Sequence, residues 1–298
     1  MGKNVRQKEM KKHWSPMFAI AFTFLILYVL VLFLPLFWGL LTSLKSDFDF
    51  RNNVFGLPKV WVFQNFGTAL FGFFVDIDSA GSIRNVYMTE QFGYSLLYAA
   101  GCAFFATYAP CHVAYLTAKF RYKFSRILTT VVIVCITLPI IGSLPSEVYF
   151  AKSLGLYDRV WGMWIMKAHF LSIYFFIFQG MFHGVPDDFA EAARIDGASY
   201  LSVYLRIMIP LVSKTFLTVY ILNFIGFWND YQTPLIFMPN KPTVAYGLFL
   251  FNLKTETVLS TIPLKLAGSV LVMLPVIVLF LIFQKRLMGN SAIGGLKV

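Results

Sequence analysis

Charge is scarce in this chain of 298 residues. Only 13% of the residues are charged, against about 25% in a typical soluble domain. Hydrophobic residues reach 58%, and phenylalanine alone contributes 33 of them. So little charge beside so much apolar surface excludes an ordinary soluble globular domain. The composition is instead typical of a protein that crosses a membrane several times.

Cysteine and histidine are rare too, with three and four residues in the whole chain. Cys102, Cys111 and Cys135 form no Cys-x-x-Cys pair and lack the spacing of a zinc site, so we interpret them as small buried apolar residues. The histidines form no His-x-x-x-His pair and have no carboxylate cluster near them. The sequence therefore predicts no metal site.

A phosphate-binding loop is also missing. Such a loop needs Gly-x-x-x-x-Gly-Lys-Ser/Thr between a strand and a helix. The nearest approach, at 289–297, has its lysine misplaced and lacks the hydroxyl residue. No Ser/His/Asp set lies on a common loop either. We therefore expect a chain that is not an enzyme and holds no cofactor, so that any ATP-driven step needs another subunit.

About six apolar runs stand out, each near the length of about 20 residues that spans a bilayer core. The first follows a basic stretch, but it is too long for the core of a signal peptide and no small-x-small cleavage site follows it. We therefore interpret it as a retained span and predict an all-α membrane protein with about six transmembrane helices. The runs lie near 17–41, 92–118, 128–150, 164–182, 212–238 and 263–284.

Lysine and arginine between these runs indicate the orientation, because cytoplasmic loops are enriched in them. If the N-terminus is cytoplasmic, three basic segments and the stretch 183–211 all lie on the cytoplasmic side. The connection 42–91 contains basic and acidic residues in near balance, which is consistent with an extracytoplasmic loop. The net charge of +11 is thus a topology signal and not a nucleic-acid surface. The basic residues are Lys3, Arg6, Lys8, Lys11 and Lys12, then Lys119, Arg121, Lys123 and Arg126, then Lys285, Arg286 and Lys297.

One polar stretch between the fourth and fifth runs departs from the membrane pattern. Pro186 suits the first turn of a helix, where its missing N–H costs nothing, and Asp187 and Asp188 place negative charge at the positive end of the helix dipole. Gly197 is suited to end that helix in the left-handed conformation, and Ser199 can cap a second helix. The stretch predicts a helix–turn–helix on the cytoplasmic membrane surface, a shape suited to docking on a partner.

The same stretch follows a fixed pattern of Glu-Ala-Ala, three residues, Gly, nine residues and Ile-x-x-Pro. Its positions are Glu191, Ala192, Ala193, Gly197, Ile207 and Pro210. The pattern resembles the EAA loop in the permease subunits of ATP-binding-cassette (ABC) importers, which ends in Ile-x-Leu-Pro. Ile209 replaces that Leu here, and Lys214 stands where many relatives have a second Pro. The alternative is a solvated amphipathic linker helix.

Two further segments carry a resemblance. The segment 223–237 begins Asn-Phe-Ile-Gly-Phe-Trp-Asn-Asp-Tyr and ends Pro-Leu-Ile-Phe, which looks like the fifth span of maltose-type importer permeases. The Gly-rich segment 289–297 is similar to that family's C-terminal tail, although the usual Val-Lys-Gly is altered. The likeness is to the MalG-like, second permease of the pair, and it covers most of the chain after residue 90.

The resemblance implies a type I ABC importer permease fold with both termini cytoplasmic. It implies a second permease subunit, a pair of ATP-binding cassette subunits that hold ATP and Mg²⁺, and an extracytoplasmic solute-binding protein, assembled in a prokaryotic cell membrane without nucleic acid. The chain then divides into 1–90 (N-tail, first span and outer loop), 91–284 (a five-helix core with the coupling loop near 183–210) and 285–298 (a cytoplasmic tail).

Two sets of candidate site residues follow. Small residues in the EAA-like stretch allow an ATPase to approach closely, and its Glu can pair with a basic residue there. Asn with Trp or Tyr in the fifth-span segment suits a sugar path, because amides bond to hydroxyls and rings contact C–H faces. The alternatives are an interhelical hydrogen bond for Asn223 and an aromatic belt for the rings. The docking set is Glu191, Ala192, Ala193, Asp196 and Gly197, and the path set is Asn223, Trp228, Asn229 and Tyr231.

The predicted function is thus that of a membrane-spanning subunit of an ATP-driven sugar or oligosaccharide importer. An importer permease for a non-sugar solute and a stand-alone secondary transporter are the alternatives. Secondary transporters usually carry ionisable residues near the bilayer midplane, whereas Lys167, His169 and Asp230 lie near predicted span ends. The connection 239–262 is predicted to lie outside. The resemblance implies that it reaches into the binding protein, and a plain connector on the membrane surface is the alternative.

Overall fold

The structure, a computed structural model, describes residues 16–79, 81–120, 122–138, 142–253 and 260–291. The predicted cytoplasmic position of both chain ends falls on residues outside these ranges, as does most of the Gly-rich tail. Most of the described residues are helical, which confirms the predicted class. In chain order the elements are α1 (Pro16–Ser43), α2 (Asp47–Asn52), α3 (Gln64–Gly72), β1 (Phe74–Ser79), β2 (Ser82–Tyr87), α4 (Met88–Lys119), α5 (Lys123–Thr137), α6 (Leu144–Ser153), α7 (Val160–Lys167), α8 (Ile173–His183), α9 (Asp188–Ile195), α10 (Tyr200–Val203), α11 (Ile209–Asn229), α12 (Gln232–Phe237), α13 (Val244–Leu253) and α14 (Ile262–Ser291).

Four helical stretches correspond to the first, second, fifth and sixth apolar runs. The helix of the fifth run ends at Asn229, whereas the sequence predicted a span that continues to residue 238. It ends there because the chain turns at Asp230. The Asp230 carboxylate accepts a hydrogen bond from the Thr233 backbone N–H at 3.0 Å and so starts the separate helix α12. The stretches long and apolar enough to cross a membrane are Met17–Ser43, Met88–Lys119, Tyr200–Asn229 and Ile262–Lys285.

The third apolar run, predicted as one span at 128–150, is broken into α5 and α6. Helix α5 ends at Thr137, and Leu138 has an extended conformation with ψ 118°. That conformation is expected before a proline, whose ring disfavours helical geometry in the preceding residue. Pro145 lies in the first turn of α6, where a proline costs no hydrogen bond. The prolines of this run therefore divide it.

The fourth run, predicted at 164–182, is likewise divided into α7 and α8. Neither Pro nor Gly occurs between them at 168–172, so no sequence signal marks the break. Phe170 and Leu171 pack there against a buried cluster of the chain. Packing against the chain therefore partly covers the non-helical backbone at Phe170 and Leu171, whereas Ala168 and His169 are exposed.

The connection 42–91 contains an antiparallel hairpin that the sequence analysis did not predict. Strands β1 and β2 pair with Val75 opposite Val86. Val75, Ile77 and Val86 are buried, and Leu250 of α13 packs against them. The residues between Val75 and Ile77 and after Ile77 are exposed, so β1 has the period of two expected of a strand that is buried on one face.

Helix α11 packs against α4, α8 and α14. Near the end of α4, the rings of Phe178 and Phe182 on α8 are fully buried with Tyr115 of α4. Cys102 and Cys111 are buried, as predicted, whereas Cys135 is only partly buried. Helix α1 packs along α14 and leaves most of its apolar side chains exposed. That exposure suits a helix surrounded by lipid.

The connection 239–262 contains a helix within its described part. Residues Val244–Leu253 form α13, and Phe251 is buried there. Its ring stacks on Phe73 with centroids 3.5 Å apart, so α13 is packed on the rest of the chain. Residues 254–259 lie outside the described residues. Contact of this connection with a binding protein stays a prediction, and the plain connector stays its alternative.

Candidate functional site

Helix α9 is the first half of the polar stretch that the sequence singled out. Asp188 and Glu191 lie in its first turn and Arg194 in its last turn, so each charge is favourable at its own end of the helix dipole. The predicted helix is therefore confirmed. Pro186 lies before the N-cap residue Asp187 and not inside the first turn as predicted.

The end of α9 depends on Gly197, which has φ +88°. Its N–H donates to the Arg194 carbonyl at 3.0 Å, and the Ala198 N–H donates to the Ala193 carbonyl at 2.9 Å. These two bonds form a Schellman motif, which satisfies carbonyls that the helix leaves unpaired. The predicted left-handed glycine cap is confirmed.

Ser199 starts the second half of the helix–turn–helix. Its side-chain oxygen accepts a hydrogen bond from the Ser202 backbone N–H at 3.2 Å, which confirms the predicted cap. Helix α10 then continues through a π-helical turn at Tyr204–Met208 into α11. Pro210 follows at the start of α11, and its missing N–H interrupts the regular ladder of hydrogen bonds at this point. The polar stretch is thus joined to the fifth span by continuous helix.

Lys119, the last residue of α4, contacts the start of α9. Its ammonium donates to the Val185 carbonyl at 2.5 Å and lies 2.7 Å from the Asp187 carboxylate. The Lys119 side chain is almost buried and the Asp187 side chain is exposed. At the other end of α9, the Arg194 guanidinium lies 4.4 Å from the centre of the Tyr200 ring, a cation–π distance. Neither contact was predicted from the sequence, in which Lys119 served only to indicate the orientation.

The docking candidates divide between two faces of α9. Glu191, Ala192, Asp196 and Gly197 are exposed and accessible to a partner. Ala193 is half-buried and packs against the apolar cluster beneath the helix, where its small side chain lets α9 lie close to the chain. A docking role for these five residues stays a prediction.

Two large apolar side chains on α9 were missed. Phe189 is 52% exposed and Ile195 is 87% exposed. The sequence contained a clue to them, because these two large apolar residues occur in a short helix whose other exposed residues are polar or small. Exposed apolar surface of this kind marks candidate protein contacts. A cavity of about 170 Å³ lies on another side of α9, lined in part by Glu191, Arg194 and Tyr200 together with Lys119 of α4.

Two of the path candidates have partners inside the chain. The Asn223 side-chain amide donates to the Thr107 hydroxyl at 3.0 Å and joins α11 to α4. This is the interhelical bond that was the alternative for Asn223. The Trp228 indole N–H donates to the Val272 carbonyl at 3.0 Å and joins α11 to α14. Trp228 is buried and so lies in the packed interior, not in an aromatic belt.

The other two path candidates lie at the C-terminal end of α11, where Asn229 is its last residue, and just after it, where Tyr231 precedes α12. Asn229 is exposed, and its amide donates to the Ile225 carbonyl of the same helix at 2.9 Å. Tyr231 is half-buried, and its ring stacks on Phe249 of α13 with centroids 4.3 Å apart. The hydrogen bonds and ring contacts of Asn229 and Tyr231 are thus made with residues other than Asn223 and Trp228. The role of all four residues in a sugar path stays a prediction.

A second polar surface was missed entirely. The Gln179 amide on α8 donates to the hydroxyls of Thr117 on α4 and Thr129 on α5, at 3.1 Å each. The three residues line an open cleft of about 1230 Å³, together with Lys123 and Arg126. They come from three separate helices, so no sequence spacing could have grouped them.

The described residues contain no group of three or more His, Cys, Asp or Glu side chains that could hold a metal ion. That observation does not test the expectation that the chain holds no cofactor, which stays a prediction.

Two bacterial proteins are similar to this chain over almost its whole length. The chain is 25% identical over 279 residues to the diacetylchitobiose uptake system permease protein NgcG of Streptomyces coelicolor, covering 93% of this chain and 88% of that protein. It is 28% identical over 282 residues to the arabinooligosaccharides transport system permease protein AraQ of Bacillus subtilis, covering 94% and 95%. The similarity therefore extends well beyond the helix–turn–helix of α9 and α10.

A solved structure is similar in fold. It is a chain from the crystal structure of a bacterial ABC transporter involved in the import of the acidic polysaccharide alginate. The TM-score is 0.73, and the match covers 90% of this chain and 96% of that chain. At 21% identity the likeness shows the fold alone, and it confirms the predicted ABC importer permease fold.

Residues 112–288 match the protein family described as "Binding-protein-dependent transport system inner membrane component". The matched region contains the helix–turn–helix and all four path candidates. An inner-membrane component with several long apolar helices crosses the membrane more than once, which confirms the predicted multi-pass localisation. The chain belongs to the family of inner membrane components of binding-protein-dependent transport systems.

Proposed function

We propose that this chain is a membrane-spanning subunit of an ATP-driven importer of sugars or oligosaccharides and forms half of its translocation path. The observation that carries the proposal is the helix–turn–helix of α9 and α10. Its exposed face presents Glu191 and Gly197 beside the apolar Ile195. A short exposed helix with an apolar side chain and a charged rim suits docking on a cytoplasmic ATPase.

The contacts of α9 explain how docking can move the spans. Lys119 connects the start of α9 to α4, and α10 connects its end to α11. The bond between Asn223 and Thr107 joins α4 and α11 to each other. A displacement of α9 by an ATPase is therefore transmitted to both helices together. In this scheme opening and closing of the ATPases alternates the path between its inward- and outward-facing states.

The carbohydrate class rests on the relatives. NgcG is named for diacetylchitobiose uptake and AraQ for arabinooligosaccharide transport, so both names concern oligosaccharides. At the outer end of α11, Asn229 and Tyr231 offer an amide and an aromatic ring. An amide bonds to sugar hydroxyls, and an aromatic ring combines an apolar face with a polar hydroxyl. This pairing of groups supports a carbohydrate as the imported solute.

The chain does no covalent chemistry in this scheme and needs no cofactor of its own. ATP and Mg²⁺ bind to separate ATPase subunits, a second permease completes the path, and an extracytoplasmic binding protein delivers the sugar. The description of the family as a component of a binding-protein-dependent system supports such an assembly.

The test is to purify the assembled complex, reconstitute it in lipid and measure ATPase activity with the binding protein and a panel of solutes. We expect stimulation by at least one oligosaccharide and none by amino acids or peptides. Stimulation by non-sugar solutes alone would establish an importer of another class. Uptake driven by an ion gradient without ATPase subunits would show a secondary transporter.

A further inference from the structure

Asp158 lies in the connection 154–159 between α6 and α7 and has φ +57°. Among the described residues it is the one non-glycine residue in the left-handed region. Residues with a side chain rarely adopt that conformation, although Asp is enriched in it. Such a conformation persists when the surrounding contacts determine it.

The contacts that determine it all come from one other segment, 237–241. The Asp158 N–H donates to the Phe237 carbonyl at 2.7 Å. One carboxylate oxygen of Asp158 accepts from the Asn240 N–H and the other from the Asn240 side-chain amide, at 3.1 Å each. The Lys241 ammonium donates to the Asp158 carbonyl and lies 3.6 Å from the carboxylate. The N–H, the carbonyl and both carboxylate oxygens of Asp158 thus all bind the same segment.

Apolar packing lies beneath these polar contacts. Leu156 from the first connection is buried with Phe237, Met238 and Met163. Gly162 of α7 lies so close to the same connection that an added Cβ would be 2.1 Å from the Leu156 carbonyl oxygen. The two connections are therefore packed as well as hydrogen-bonded, and neither can shift alone without breaking several contacts.

The segment 237–241 leads directly into α13, so the Asp158 contacts fix where that helix begins. The Val244 N–H at its start donates to the buried Ser95 hydroxyl of α4 at 2.6 Å. Helix α13 carries Phe249, which stacks on the path candidate Tyr231. The topology derived from lysine and arginine places both connections on the outer side, opposite α9.

We propose that Asp158 is a positioning residue that holds the α6–α7 connection against the start of α13, so that the two present one rigid surface to the solute-binding protein. The inference rests on the proposed function for the identity of that partner. A surface that is ordered before binding loses less conformational freedom when the partner arrives. Asp158 therefore acts through the two connections and not by touching the sugar.

The first test compares variants of the assembled complex. Asp158→Gly keeps the left-handed conformation and removes the carboxylate, and Asp158→Asn keeps both the conformation and an acceptor oxygen but removes the charge. In Asp158→Gly we expect the concentration of loaded binding protein needed for half-maximal ATPase stimulation to rise about tenfold, which is about 1.4 kcal/mol. The maximal stimulated rate should change far less. The half-maximal concentration for Asp158→Asn should lie between those of Asp158→Gly and the wild type.

A merely structural role would lower the amount of complex and its maximal rate and leave the half-maximal concentration unchanged. That result would overturn the proposal. A second measurement uses cysteines at 158 and 240 in a background without the three native cysteines, joined by a short bifunctional thiol reagent. If the two connections work as one body, cross-linking restores the response to the binding protein. A response abolished by the cross-link would show that they must separate.

Hydrogen exchange distinguishes a failure of this inference from a failure of the proposed function. If no sugar-loaded binding protein stimulates even the wild-type complex, the carbohydrate assignment fails. Faster exchange at both 154–159 and 237–241 in Asp158→Gly would still support the holding role of Asp158. Unchanged exchange in either segment would overturn it.

Discussion

The ammonium of Lys119, at the end of α4, lies 2.7 Å from the carboxylate of Asp187, at the start of α9. The same ammonium donates to the Val185 carbonyl at 2.5 Å. One nearly buried lysine thus contacts both a carbonyl and a carboxylate of the segment that leads into α9. Helix α9 cannot shift without straining the end of α4, so in the proposed function this contact is the route by which a docked ATPase acts on the membrane spans.

Replacing Lys119 by Met should uncouple transport, because Met keeps the apolar stem and removes both contacts. A hydrogen bond from a charged group contributes about 1.5–3 kcal/mol. The ion pair adds less than about 1 kcal/mol, since Asp187 is exposed. We expect sugar uptake to fall about tenfold or more at normal permease levels. Asp187→Asn is the matched control. It should lose less uptake, because Lys119 still donates to the Val185 carbonyl. Full uptake in Lys119→Met would contradict the route.

Gly197→Val should weaken docking through the backbone alone. No atom lies within 4 Å of an added Cβ, but φ is +88°, and a left-handed conformation costs residues with a side chain about 1–2 kcal/mol. Gly197→Asn is the control, because Asn tolerates that conformation. We expect less ATPase to co-purify with the Val variant than with the Asn variant. Equal recovery from both would mean that the cap geometry is unimportant for docking.

Asn223 and Asn229 should respond differently to alanine. Asn223→Ala breaks the bond to Thr107 and should cost about 0.6–1.7 kcal/mol of stability, the range for such bonds between membrane helices. Its effect should be non-additive with that of Thr107→Ala. Asn229→Ala should instead raise the sugar concentration needed for half-maximal uptake. Thermal unfolding and uptake kinetics check the two outcomes. An unchanged sugar dependence in Asn229→Ala would remove it from the path.

Gly162→Ala should destabilise the protein more than any exposed glycine substitution. Its Cβ would lie 2.1 Å from a backbone oxygen, that of Leu156, and overpacking of this kind costs about 1–3 kcal/mol. Gly93→Ala on α4 has open space and should be neutral or stabilising by up to about 1 kcal/mol, the difference between Ala and Gly in helices. Thermal unfolding in detergent compares the variants, and equal transition temperatures would count against the close approach.

Single cysteines test the orientation in a background without Cys102, Cys111 and Cys135. A cysteine at Ser82, in the hairpin, should react with an impermeant thiol reagent added outside intact, cell-wall-permeabilised cells. One at Ser199, between α9 and α10, should react only after the membrane is opened. The reverse pattern would place the helix–turn–helix outside and exclude cytoplasmic docking.

Local physical chemistry explains what could be predicted from the sequence. A membrane helix satisfies its own backbone hydrogen bonds, so apolar runs revealed most spans without knowledge of their neighbours. The Gly197 and Ser199 caps involve bonds across at most five residues, and their residue types indicated them directly. Pro139 and Pro145 lie in the third run, yet that run was predicted as a single span at 128–150 and not as two helices.

Contacts between distant residues were decided only by the tertiary structure. Lys119 and Asp187 are 68 positions apart, and Asp158 and Asn240 are 82 apart. Charge or polarity alone cannot identify such partners, because they depend on which helix ends meet after packing. The same reason applies to the break between α7 and α8, which has no proline or glycine. The sequence by itself determined the class, the number of apolar runs and the helix–turn–helix stretch. Packing decided which side chains hold that stretch in place, because burial and distance exist only once the helices are together.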